Sequence, residues 1–182
     1  TRTGAAYVFR PAGSSFELEQ RLLPDGSNRK QAFGVSVTLE DGFAFIGAPG
    51  PGNPDAPGGT VSIFSLVDDV STLAEILTSG PSVSEAGFGA SLDSFSGFLI
   101  VGSQRFVGDH PGPGSAWVYS GSGSSWTLLS PLTGSDVNRA DGFGKSVSIS
   151  SSLASVGAAG DATSGPNAGA AYFYSGDSDD WR

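Results

Sequence analysis

The 182-residue chain carries 28 Gly and 11 Pro but only 15 % charged residues, a composition that disfavours long helices and a disordered polymer alike. Its formal charge of −9 argues against nucleic acid or an anionic lipid surface as partner, because both select basic faces. Without Cys there is no disulfide frame, thiolate metal site or Cys nucleophile, and no apolar run approaches the roughly 20 residues of a membrane-spanning helix, so no membrane insertion is expected.

In chain order, residues 1–32 predict the last two strands of a four-stranded unit. Residues 33–87 predict a complete unit. Its first strand, Val35–Leu39, sets Val37 and Leu39 against Ser36 and Thr38 on opposite faces. Asp41-Gly42 supplies a tight turn, and the second strand, Phe43–Ala48, is a continuous apolar run. The third, Thr60–Phe64, also lacks clean alternation, as expected of strands covered on both faces. The fourth, Leu73–Leu77, stops at Ser79-Gly80-Pro81. Residues 88–142 repeat the pattern, and 143–182 give three strands with a fourth only begun at Trp181-Arg182.

The units keep one period. Phe33-Gly34 recurs as Phe88-Gly89 and Phe143-Gly144, and Gly47-Ala48 as Gly102-Ser103 and Gly157-Ala158, each about 55 residues on. Gly4, Gly59, Gly114 and Gly169 follow the same step, and an aromatic stands five residues after each: Phe9, Phe64, Tyr119 and Tyr174. Phe16, Trp126 and Trp181 share a register in which Ser71 is the exception. Four antiparallel strands per unit, repeated radially, describe an all-β chain of β-propeller blades. The helical period of a solenoid is missing, a β-helix repeats at shorter spacing, and a β-sandwich does not hold one fixed register.

At these residues the sequence resembles the FG-GAP repeat family, known from integrin α-chains and many secreted proteins. The motifs that carry the resemblance are "FGVSVTLEDGFAFIGAPG", "FGASLDSFSGFLIVGSQR" and "FGKSVSISSSLASVGAAG", together with "GAAYVF", "GTVSIF", "GSAWVY" and "GAAYFY". The resemblance implies blades of a seven-bladed propeller, of which this chain holds about three, and an extracellular or cell-surface role in adhesion or ligand binding. Many members carry an Asp-rich calcium loop between the first two strands. Here the links "LEDGF", "DSFSGF" and "SISSSL" are too short and too poor in carboxylates for a cation that wants six to eight oxygens, so no cofactor or metal is expected. Thr1 in place of Met, with no signal-like segment, reads as a processed or internal piece. Further repeats or further copies are expected to complete the propeller.

Candidate chemistry is sparse. "GAPGPG" (47–52) lacks the Lys and Ser/Thr of a phosphate loop, and no helix follows it. His110 is the only histidine, which leaves no histidine pair for zinc. No G-x-S-x-G elbow supports a Ser-His-Asp site, so no catalytic residue is assigned. Asp55, Asp109 and Asp161 read as turn formers before cation ligands. Tyr7, Trp117 and Tyr172 read as blade-to-blade packing before a sugar-stacking ladder. The loops between second and third strands vary while the strands keep register. The middle one offers Arg105, Phe106, Asp109 and His110 as candidate contacts to a protein or glycan; the plain alternative is a rigid Pro/Gly connector. The expected function is a non-catalytic interaction or structural module. Alternatives are the propeller of a larger secreted hydrolase with its catalytic domain elsewhere, or a subunit of an extracellular filament.

Overall fold

Alternating residues and tight turns make a chain of antiparallel hairpins. The computed structural model describes residues 4–25, 32–50, 58–67, 70–79, 87–104, 106–107, 110–138, 140–166, 168–177 and 180–182. Among them there is no helix. The first two strands, β1 (Ala6–Ala12) and β2 (Ser15–Leu22), form a hairpin of their own. A four-stranded meander follows: β3 (Ser36–Glu40), β4 (Phe43–Pro49), β5 (Gly59–Ser65) and β6 (Thr72–Leu77). Asp41, at φ 47°, and Gly42, at φ 79°, make the left-handed turn expected between β3 and β4.

The second meander comprises β7 (Phe88–Phe95), β8 (Phe98–Ser103), β11 (Ser115–Ser122) and β12 (Ser125–Leu132). Between β8 and β11 lies a small hairpin, β9 (Phe106–Val107) with β10 (His110–Pro111). The last sheet holds β13 (Phe143–Ile149), β14 (Leu153–Ala158) and β15 (Ala170–Ser175). A bridge from Gly176 to Trp181 begins its fourth strand.

Register repeats with the sequence. Gly47 faces Val61, Gly102 faces Ala116 and Gly157 faces Ala171. The pairing of third and fourth strands slips at Val8/Phe9, at Ile63/Phe64 and at Val118/Tyr119, so even the bulge is periodic. Such bulges raise local twist, which lets successive sheets fan out and stack.

The core lies between blades. One cluster joins Phe45, Val61 and Ile63 of the first full blade to Leu99, Val101, Trp117 and Trp126 of the second. Another joins Ile100, Ala116 and Val118 to Phe143, Val156 and Trp181. Aromatic edges cross both seams, Phe45 on Trp126 at 5.1 Å and Phe98 on Trp181 at 5.5 Å between ring centres. Burying such a side chain contributes about 1.5–3 kcal/mol, so each seam is held mainly by packing. Strands β4 and β5 are buried on both faces, which explains their unbroken apolar runs.

One expectation fails. Tyr7 does not pack between blades: it is 53 % exposed, whereas Trp117 in the same register is 5 % exposed. Trp117 is covered by the blade before it, and among the described residues no blade lies before β1. Tyr172 does pack, half-buried with its ring 5.3 Å from Phe143. The described residues form blades and do not close a ring.

Candidate functional site

The repeat's two signature elements meet across each seam. Phe-Gly opens a first strand, and its phenylalanine is bridged in parallel to the glycine that starts the preceding blade's third strand: Gly4 to Phe33, Gly59 to Phe88, Gly114 to Phe143. These glycines have φ of +72°, +135° and +83°. A Cβ on any of them would lie closer than 3.0 Å to the phenylalanine carbonyl oxygen, so no other residue fits without displacing backbone.

The second element supports the same contact. Gly47 and Gly102 lie so close to the carbonyls of Gly89 and Gly144 that an added Cβ would also come within 3.0 Å. Ser36 Oγ donates to the Gly89 carbonyl at 2.7 Å, and Ser91 Oγ to that of Gly144 at 2.9 Å. Buried Phe33, Phe88 and Phe143 then anchor each first strand beneath its own aromatic, as in Phe88 with Trp117 at 5.2 Å. The repeat's signature elements together form a blade-to-blade clasp.

Polar staples that sequence reasoning missed flank the clasps. The Gln20 amide binds both the backbone N–H and the carbonyl of Ser71 in the next blade. The Asp93 carboxylate accepts from Ser148 Oγ at 2.9 Å and from the Ile149 N–H at 2.8 Å. Glu40 accepts from the Gly97 N–H at 2.7 Å. Asp93 belongs to the "DSFSGF" link between first and second strands, and its oxygens are engaged by protein donors. The staples join residues 51 to 57 apart, so the repeat length was their one available signal.

The loop candidates are placed unevenly. Arg105, Asp109 and Asp55 lie outside the described residues. For Phe106 and His110 the backbone is described: Phe106 pairs with Pro111, and Val107 with His110. Asp161 is buried and organises its own loop, accepting from the Thr163 N–H at 2.9 Å. The Tyr172 hydroxyl donates to Asp136 Oδ1 at 2.7 Å and also reaches Asp161 Oδ2 at 3.3 Å. The hydrogen bond to Asp136, then burial and the charge of both carboxylates, hold the Tyr172 phenol well above its ordinary pKa. Among the described residues no three His, Asp or Glu side chains gather as metal ligands.

An apolar cavity of about 560 Å³ lies beside β1, lined by Tyr7, Phe9, Val37, Leu39 and Ile46 among others. The nearby Arg10 guanidinium is engaged by Glu19 and by the Leu66 carbonyl. The cavity flanks the edge of β1 that corresponds to the β4-paired edge of β5, so it reads as blade interior and lacks converging polar groups for a small ligand.

A family model described as FG-GAP repeat matches residues 126–174. No curated protein matches the chain. The matched stretch runs from Trp126 on β12 through the clasp at Phe143-Gly144 and past Gly157-Ala158 to Tyr174 on β15, crossing one blade seam. Over residues 126–174 the chain is therefore similar to an FG-GAP repeat, in keeping with the propeller-like blades.

Proposed function

We propose that the chain is a non-catalytic interaction or structural module, extracellular or surface-exposed, in which clasped blades hold the loops between second and third strands for a protein or glycan partner. The observation that carries this reading is the contrast between strands and loops. Clasp, bulge and core recur every 55 residues, whereas the loops 49–58, 104–114 and 159–169 vary in sequence. The loop with Arg105, Phe106, Asp109 and His110 has the most varied chemistry and is the first candidate contact. Further repeats or further copies complete the propeller around these blades, and the role is adhesion, ligand binding or assembly.

The test is a glycan and extracellular-protein binding screen with the whole chain, repeated with Arg105, Phe106, Asp109 and His110 all changed to Ala. Signals lost in the variant at an unchanged melting temperature support the proposal. Signals identical in both proteins, or turnover of ester or glycoside substrates by the chain itself, overturn it.

A further inference from the structure

A small cavity interrupts the seam between the two complete blades. It measures about 40 Å³ and lies between the β3–β4 turn and the β11–β12 hairpin, with Glu40, Asp41, Phe43, Gly97, Gly123 and Trp126 in its wall. A space of that size holds one group comparable to a water molecule. These turns gather at the strand ends opposite the loops proposed above as contacts.

The Glu40 carboxylate beside it is short of donors. Glu40 Oε1 accepts from the Gly97 N–H at 2.7 Å, whereas Oε2 is shut off from solvent and accepts from no described residue. A carboxylate has about four acceptor sites, and covering one of its oxygens without a donor is costly. Nearby donors are spent elsewhere: Trp126 Nε1–H on the Gly123 carbonyl and the Gly121 N–H on the Gly97 carbonyl, both at 3.0 Å. No Lys, Arg or His lines the cavity. Nor is the acid part of the repeat, because Phe95 and Ser150 hold its place one and two units on.

We infer that this cavity binds a primary ammonium group, the side-chain tip of a lysine on a partner polypeptide. An ammonium brings three donors to a carboxylate that is engaged at one oxygen only, and it places a positive charge beside Glu40 and Asp41. The Phe43 and Trp126 rings supply aromatic walls, which favour a desolvated cation. The chain's net charge of −9 suits a basic partner. The inference does not rest on the loops, so the loop variant above leaves it untouched.

The experiment titrates the whole ¹⁵N-labelled chain with methylammonium chloride at constant ionic strength and follows the Gly97 N–H and Trp126 indole N–H signals by NMR. Saturable shifts of both are expected, and lysine capped at both ends as acetyl and methylamide moves the same signals. Glu40→Gln, which keeps an oxygen for the Gly97 N–H, weakens binding at least about tenfold. Tetramethylammonium has the same charge but is too large and has no N–H to donate, so it moves neither signal. That comparison needs no variant and stays decisive even where Glu40→Gln impairs folding. Unmoved signals in the folded chain overturn the inference, as does equal response to tetramethylammonium or equal affinity in Glu40→Gln. Failure of the capped lysine where methylammonium binds overturns it too, and so does calcium chloride moving both signals where methylammonium does not.

Discussion

Single residues set where the seams can tolerate change. Gly59 has φ +135° and the Phe88 carbonyl lies over it, so Gly59→Ala combines backbone strain with a collision. A loss of about 3 kcal/mol or more is expected in thermal melts. Gly13→Ala meets only left-handed strain and costs about 1 kcal/mol. Equal melting shifts for the two would show that the clasp is not the constraint. Tyr119 is buried, donates to the Thr78 carbonyl at 2.9 Å, and has its phenol pKa raised by burial. The folded chain thus keeps a proton that the unfolded chain releases near pH 10. Stability is held below that pH and falls above it, by up to about 1.4 kcal/mol per pH unit for this group. Tyr119→Phe costs about 1 kcal/mol at neutral pH through the lost hydrogen bond and makes the alkaline fall shallower, measured as melting temperature against pH. The clasp glycines were legible in the sequence because left-handed, crowded backbone admits little else. Gln20 and Asp93 were not, because their partners are mostly backbone groups, which any residue can provide.

At the level of elements, each blade is a local meander whose apolar faces are satisfied by its neighbours. Phe45→Ala is expected to cost about 3–5 kcal/mol, since the ring is fully enclosed and edge-on to Trp126. A double-mutant cycle with Trp126→Ala isolates a coupling of about 0.5–1.5 kcal/mol; additive losses would mean that the seam is held by area alone. Strand positions were readable from period and turn chemistry to within a residue or two. The loop that bears Arg105 and His110 was readable only as composition, because Pro and Gly fix turns without recording what the intervening side chains meet. The fate of Tyr7 shows another limit: register gives a residue its face, but burial depends on whether a blade lies against that face.

For the molecule as a whole, the two outer flanks of the blade stack are apolar. Tyr7, Phe9 and Phe16 are 53 %, 55 % and 71 % exposed on one side, and Leu153 and Phe173 are 53 % and 74 % exposed on the other. Surfaces of this kind mark contact sites. The chain is expected to associate with rising concentration in sedimentation velocity, and Leu153→Asp with Phe173→Asp to shift it toward monomer without lowering its melting temperature. A well-folded monomer at all concentrations would contradict this. The staples and serine clasps join residues separated by 51 to 57 positions, so these ties reach only the adjacent unit. Loop closure is therefore the same modest entropic step at each seam, whichever blade forms first. Folding can nucleate in any hairpin and zip outward in either direction, with a rate governed by docking one neighbour at a time and not by the length of the array.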